Sequence, residues 1–174
     1  MNPVEWPEGY RLERLRRDHS RRSLRSGVAE VDDWLVTKAL QQQEKKLSTT
    51  KVLVDNARAI AGYYTLAIGE IEFAALPPEI VKKLPRRQLP VAVLAWLGLD
   101  STRQGQGLGG RLLAQALRDC FEAGKTFAFV AVILDALNEE AKAFYQHWQF
   151  AELPGHSHRL FLSAKQLEAL MTTP

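Results

Sequence analysis

The sequence predicts an α/β (α+β) domain in which a mixed central sheet is flanked by helices. Three observations carry that expectation. Two nearly continuous apolar runs, "VAVLAWLGL" (91 to 99) and "FAFVAVILDA" (127 to 136), read as buried strands, and each leads into a segment of helical periodicity. Ahead of them lies a β-rich stretch broken by a turn signal at Asp55-Asn56. With 174 residues, 46% of them hydrophobic and 25% charged, residues 1 to 174 have the size and composition of a single domain. Such a chain buries roughly 70% of the surface its unfolded form exposes. No apolar run reaches the roughly 18 residues of a membrane span. The opening "MNPVEWPEGYRLERLRRDHS" has neither the apolar core of a secretory signal nor the acid-poor character of a transit peptide, so the cytoplasm is the expected location.

Taken in order, "YRLERL" (10 to 15) alternates as a half-buried strand does, and an arginine-rich segment follows it. Val28, Val31, Trp34, Leu35 and Ala39 then recur at helical spacing, which predicts one helix ending near Lys46. "TTKVLVDNARAIAGYYTLAIGEIEF" predicts an antiparallel hairpin. "PPEIVKK" (77 to 83) offers proline at a helix start and one or two turns, closed off by Pro85 and Pro90. The first apolar strand runs into a glycine-rich loop and a helix to about Ala123, and the second strand occupies 127 to 136. "NEEAKAFYQHW" (138 to 148) has Asn138 at its start and acids in its first turn, where they suit the helix dipole. A strand around "HRLFL" and a helix from Ser163 to Met171 complete the chain.

The glycine-rich loop holds the chemistry. Gly105, Gly107, Gly109 and Gly110 fall within six positions, a concentration that gives up backbone entropy and supplies unhindered N–H groups at a helix N-terminus, which suit a pyrophosphate. Two spacings compete. Gly105, Gly107 and Gly110 fit the dinucleotide pattern G-x-G-x-x-G, and Asp135 at the end of the next strand could bind a ribose. Against that reading, about 100 residues precede the loop and only one clear strand–helix unit follows, too little for a doubly wound sheet. A P-loop is excluded because no Gly-Lys-Ser/Thr ends the loop. The other spacing, Q-x-x-G-x-G, is Gln104-Gly105-Gln106-Gly107-Leu108-Gly109.

A second motif, Asn138-Glu139-Glu140-Ala141-Lys142-Ala143-Phe144-Tyr145, closed by Gln149-Phe150, begins 28 residues after Gly110 with a buried strand between. The two motifs together resemble the GNAT superfamily of acyl-CoA-dependent N-acetyltransferases, whose loop reads Q/R-x-x-G-x-G/A and whose later segment reads (N/D)-x-x-A-x-x-F-Y. The order of elements is similar along almost the whole chain. The segments "SGVAEVDDWLVTKALQQQ", "GYYTL" and "LPPEIVKKLPRRQLPVAVLAWLGLD", with the Asp135-Ala136 pair, resemble one branch most: the GNAT toxins of bacterial toxin–antitoxin modules, which acetylate the amino group of aminoacyl-tRNA. That likeness runs from about residue 23 to residue 162. Trp96 stands where this branch has an arginine, and Gln149 where it has a glycine.

The resemblance implies a GNAT fold with acetyl-CoA as cosubstrate. It places the CoA pyrophosphate on Gln104, Gly105, Gln106, Gly107, Leu108, Gly109 and Gly110, and the pantetheine and thioester along Leu97, Gly98 and Leu99. Asn138 and Phe144 would line the CoA channel, and Tyr145 would be the general acid that protonates the departing thiolate. It also implies charged tRNA as acceptor, a small ribbon-helix-helix antitoxin as partner and a bacterial cytoplasm as setting; a homodimer is compatible with the sequence. A metabolic GNAT acting on a small amine or a protein N-terminus is the alternative, and a non-catalytic CoA-binding domain is disfavoured by the presence of both loop and tyrosine.

Other candidates carry less. No base is evident; Glu70 and Glu72 could reach an acceptor through water or could be solvated edge acids. An α-amino group on an ester has a lowered pKa and needs no strong base. Cys120, the only cysteine, excludes an intramolecular disulfide and reads as a buried small hydrophobe. His156 and His158 lack a third ligand, so no metal is expected. Net charge is +3, yet residues 11 to 25 carry seven arginines, and Lys82, Lys83, Arg86 and Arg87 form a second cluster. These are either a footprint for phosphate backbones or solvated basic faces.

Overall fold

Residues 1–174 are all described in the computed structural model, and they build the mixed sheet expected from the sequence. Strand β1 is Arg11–Arg14, followed by helices α1 (Ala29–Thr37) and α2 (Ala39–Glu44) and strands β2 (Thr49–Val54) and β3 (Ile60–Glu72). Helix α3 (Pro78–Val81), strand β4 (Gln88–Leu99) and helix α4 (Leu108–Gly124) come next. Strand β5 (Ala131–Asp135), helix α5 (Glu139–His147), strands β6 (Ala151–Glu152) and β7 (Arg159–Ser163) and helix α6 (Ala164–Thr172) complete the chain. The seven strands lie in the order β1-β2-β3-β4-β5-β7-β6, with β4 and β5 parallel and the pairs β1–β2, β2–β3, β5–β7 and β6–β7 antiparallel. No helix is long and apolar enough to cross a membrane.

The chain divides into two compact units. One comprises Asn2–Ala67 and Leu94–Arg118. Its hairpin closes because Asp55 satisfies its own turn: the carboxylate accepts from the Ala59 N–H at 2.9 Å, and Arg58 takes a left-handed φ of 63°. On the paired strands the buried hydroxyls of Thr50 and Thr65 meet at 2.7 Å and satisfy one another. Val31 and Leu35 seat α1 in a core with Leu15, Leu24, Val52, Val54, Ile60 and Tyr63. The Tyr63 hydroxyl donates to the Val31 carbonyl at 2.6 Å and fixes the height of the helix.

The single helix expected to Lys46 is two helices, broken at Lys38 (φ −125°, ψ −37°). The break aims Gln43 into the core, where its amide donates to the Leu15 carbonyl at 2.8 Å and accepts from the Thr50 N–H at 2.9 Å. Two buried backbone groups near the sheet are thereby satisfied, which outweighs the continuous helical period.

The other unit comprises Ile68–Val93 and Asp119–Pro174, with Met1. Its core gathers Ile71, Leu76, Val81, Leu89, Val91, Ala131, Ile133, Leu153 and Phe161. The parallel register pairs Val91, Ala92 and Val93 with Ala131, Val132 and Ile133. Six residues of β4, Leu94 to Leu99, lie beyond the last pair. Strand β5 starts at Ala131 rather than at 127, because Thr126 and Phe127 donate their N–H groups to the Ala123 carbonyl and finish the end of α4. Phe127 is left 71% exposed. A capping box, Ser163 with Gln166, starts α6.

Candidate active site

The residues expected to hold CoA at its thioester and pyrophosphate fall in one unit, from Leu97 on β4 to Gly110 in the first turn of α4. Asp100 ends the strand. Its carboxylate accepts from the Thr102 N–H (3.0 Å), the Thr102 hydroxyl (2.6 Å) and the Arg25 N–H (3.0 Å), which fixes the single turn Ser101–Arg103. Gly105 and Gly107 then take left-handed φ values of 81° and 74°, which other residues adopt only with strain. A Cβ at Gly105 would meet nothing within 4 Å, so open space lies over the loop there. Leu108, wholly buried, anchors the start of α4. The N–H groups of Gly107, Leu108, Gly109 and Gly110 donate to no acceptor within the protein. A 17-residue helix thus presents its first-turn donors beside an exposed glycine loop.

Gly98 has a role the sequence did not reveal. A Cβ there would lie 2.5 Å from Val31 Cγ1 and 3.1 Å from Tyr63 Cε1, so the missing side chain makes room for α1. The neighbouring Trp96 stacks on Trp34 of α1, ring centroids 5.6 Å apart at 27°. Where the resembling branch carries an arginine, this chain therefore carries one wall of an aromatic pair.

Three further residues brace the loop. Arg103 donates from Nη2 to Asp55 Oδ2 at 2.6 Å and from Nη1 to the Tyr10 hydroxyl at 2.9 Å, and its guanidinium carbon lies 5.7 Å from the centre of the Tyr10 ring. Tyr10 in turn donates to Gln106 Oε1 at 3.3 Å. The Arg103 hydrogen bond holds the Asp55 carboxyl below the usual carboxylate range. Asp55 was legible only as a turn residue, and nothing in the spacing of Tyr10, Asp55 and Arg103 announces that they meet.

Tyr145, Phe144 and Asn138 belong to the other unit, on α5 and at its start. Asn138 is the N-cap: its side chain accepts from the Ala141 N–H at 2.8 Å. Tyr145 is 7% exposed, held edge-on between Phe144 (5.3 Å) and Phe150 (5.9 Å). Its hydroxyl has no hydrogen-bond partner within the protein, and burial pushes the phenol well above its usual range. The proton therefore stays on the oxygen at working pH, available to an incoming acceptor. Gln149 takes the left-handed position that ends α5, at φ 71°, with the Phe150 N–H on the Tyr145 carbonyl and its own on that of Gln146. The replacement of glycine there is accommodated as strain in a cap.

The remaining candidates separate from this chemistry. Glu70 and Glu72 are exposed on β3. Burial, helped by Asp119, pushes the Cys120 thiol up to about 12, so it is no nucleophile. His158 pairs with Glu139 at 2.8 Å, and no group of three or more potential ligands could hold a metal. Of the seven arginines between 11 and 25, Arg11 and Arg16 pair with Glu13, and Arg17 with Glu44. Arg21 and Arg22 have no carboxylate partner and line a cavity of about 230 Å³ with His19, Ser20 and Val36. Lys82, Lys83, Arg86 and Arg87 are exposed.

The model of the acetyltransferase (GNAT) family matches residues 67–150. A tRNA-acetylating toxin of Mycobacterium tuberculosis (strain ATCC 25618 / H37Rv) is 34% identical over 149 residues, covering 86% of this chain and 89% of that protein. The chain belongs to the GNAT acetyltransferase family. Among solved structures, this GNAT chain is similar to AtaT complexed with acetyl-methionyl-tRNAfMet, with a TM-score of 0.85 and 31% identity over 94% of this chain and 99% of that one. It is also similar to a tyrosine-to-phenylalanine mutant of the AtaT toxin bound to the C-terminus of the antitoxin AtaR and acetyl-CoA. There the TM-score is 0.81 and the identity 27% over 95% of this chain and 100% of that one. Fold class and family are those the two sequence motifs imply.

Proposed function

We propose that residues 1–174 act as one GNAT domain that transfers the acetyl group of acetyl-CoA to the α-amino group of aminoacyl-tRNA, blocking translation as a toxin in a bacterial cytoplasm. The observation that carries the acetyl-CoA reading is the row of four unpaired N–H groups, Gly107 to Gly110, beside the open loop at Gly105. This donor set fits a pyrophosphate. The acceptor reading is supported by two relatives, one a tRNA-acetylating toxin and the other bound to acetyl-methionyl-tRNAfMet, each similar to nearly the whole chain. The complex with AtaR supports a small antitoxin as partner.

In this reading, peptide groups of Leu97 and Leu99, on the part of β4 beyond its pairing with β5, hold the pantetheine and polarise the thioester carbonyl. The acceptor nitrogen forms a bond to the carbonyl carbon, the carbon–sulfur bond breaks with its electrons on sulfur, and the Tyr145 hydroxyl donates its proton there. A phenol raised by burial is a weak acid, so its contribution is chiefly a hydrogen bond to the developing thiolate that ends in transfer. The nitrogen loses its proton to water, and the Tyr145 phenolate recovers a proton from water, which restores the neutral phenol that burial favours. A free α-amino group has a pKa of about 7.7–8.0, and esterification lowers it further, so no enzymic base is required.

The test is a comparison of acceptors at fixed acetyl-CoA: charged tRNA, the same tRNA deacylated, small amines and peptides with free N-termini. The reading expects label on charged tRNA alone. Label on peptides or small amines, with none on charged tRNA, would sink it in favour of a metabolic acetyltransferase.

A further inference from the structure

The loop assigned to the pyrophosphate contains four glycines in six positions, the residue type with the most conformational freedom to lose. Left to itself such a loop would be ordered at the expense of ligand affinity. In this chain it is tied at two points. Arg103, immediately before Gln104, is held by the Asp55 carboxylate at 2.6 Å and the Tyr10 hydroxyl at 2.9 Å, and Gln106, between the two left-handed glycines, is held by Tyr10 at 3.3 Å. Both anchors are themselves fixed. Asp55 is locked into the β2–β3 turn by the Ala59 N–H, and the Tyr10 N–H bonds the Pro7 carbonyl at 3.1 Å. The segment before β1 is also strapped to α4, where Arg111 donates from Nε to the Glu5 carbonyl at 2.9 Å and from Nη1 to that of Gly107 at 3.4 Å.

We infer that Arg103, clamped between Asp55 and Tyr10, is a positioning residue that sets the glycine loop in its phosphate-binding shape before acetyl-CoA arrives. The inference rests on the reading of that loop as the pyrophosphate site. Arg103 acts through the backbone and not as a phosphate ligand, because both ends of its guanidinium fork are already engaged and three-quarters of its side chain is buried. The ion pair Arg103–Asp55 is charge-assisted and sheltered, the class of hydrogen bond whose loss is felt most.

Full-length Tyr10→Phe and Asp55→Asn proteins test this, with acetyl-CoA and S-acetylpantetheine as titrants. Tyr10→Phe keeps the ring beside Arg103 and removes both hydroxyl bonds; Asp55→Asn keeps the amide-accepting oxygen of the turn and removes the charge. Each variant is expected to raise the Kd for acetyl-CoA about five- to tenfold. The Kd for S-acetylpantetheine, which lacks the pyrophosphate, and kcat at saturating acetyl-CoA stay at the wild-type values. The ratio of the two dissociation constants is insensitive to the folded fraction, so a general loss of structure does not imitate the result. Equal weakening of both ligands, or acetyl-CoA affinity within about twofold of wild type, would overturn the inference. Gly107→Val separates the two levels. If it leaves acetyl-CoA binding intact, the pyrophosphate reading itself fails; if it abolishes binding while the clamp variants bind normally, only the positioning role fails.

Discussion

Gly98→Ala introduces a methyl 2.5 Å from Val31 Cγ1 and 3.1 Å from Tyr63 Cε1. Neither neighbour can withdraw cheaply. Val31 is 4% exposed on a helix, where its β-branched side chain has one preferred rotamer, and Tyr63 is wholly buried with its hydroxyl fixed on the Val31 carbonyl. Carbon atoms prefer separations of about 3.5–4.0 Å, so α1 must retreat by about an ångström, loosening Trp34 on Trp96 as it goes. Overpacking of this kind costs about 1–3 kcal/mol, and a clash on two rigid partners belongs in the upper half of that range. In a domain of this size that lowers Tm by roughly 4–12 °C. Val31→Ala alone removes two methyl groups and costs about 2–3 kcal/mol, yet in the double variant the new methyl fills the space it vacates. The double variant is therefore expected to be no less stable than Val31→Ala, a coupling of about 2 kcal/mol. Urea unfolding followed by tryptophan fluorescence reads all three. If Gly98→Ala keeps its stability within about 0.5 kcal/mol but loses acetyl-CoA affinity, the glycine serves the ligand and the packing argument is wrong.

Gln149→Gly relieves the left-handed strain at the end of α5 and is expected to add about 1 kcal/mol in denaturant unfolding; no gain would mean that the Gln149 side chain contributes what its backbone gives up. Hydrogen bonds from His19 and then Arg11 lower the Glu13 carboxyl from 4.5 to about 2, so its stabilisation is complete above about pH 4.5 and is lost as pH falls toward 2. Glu13→Gln should accordingly lower Tm at pH 7 and flatten its dependence on pH between 5 and 2, which a series of thermal melts would show. Replacing Arg21 and Arg22, which lack carboxylate partners, by glutamine is expected to reduce the salt slope of tRNA binding by about 0.7–0.9 for each phosphate no longer neutralised. Arg11→Gln, whose parent is engaged with Glu13 at 2.6 Å, is expected to leave the slope unchanged; the opposite ranking would refute this division of the arginines.

What could be read in the sequence was what is contiguous along it. The glycine loop and the tyrosine helix each carry their chemistry within about ten residues, and the apolar runs on either side are long enough to show a buried strand. Elements shaped by distant partners escaped. The helical period from Val28 to Ala39 passes unbroken through Lys38, because the break serves the amide of Gln43 between Leu15 and Thr50. Strand β6, at two residues, is too short to show a period, and Phe127 counts as strand in any apolar tally although it lies exposed beyond α4. The packing of Gly98 against Val31 and Tyr63 depends on residues distant in sequence, and the clamp of Tyr10, Asp55 and Arg103 joins residues far apart in the chain.

The proposed acceptor and the proposed proton donor are tested together by transfer of labelled acetyl from acetyl-CoA to a pool of charged tRNA, by the wild-type chain and by Tyr145→Phe, with acetyl-CoA affinity measured for both. Label is expected on the aminoacyl group, with a rate that falls about 100-fold or more in the variant and an unchanged Kd for acetyl-CoA. Absence of label on tRNA from a wild-type protein that binds acetyl-CoA would contradict the acceptor, and an undiminished rate in the variant would contradict the role of Tyr145.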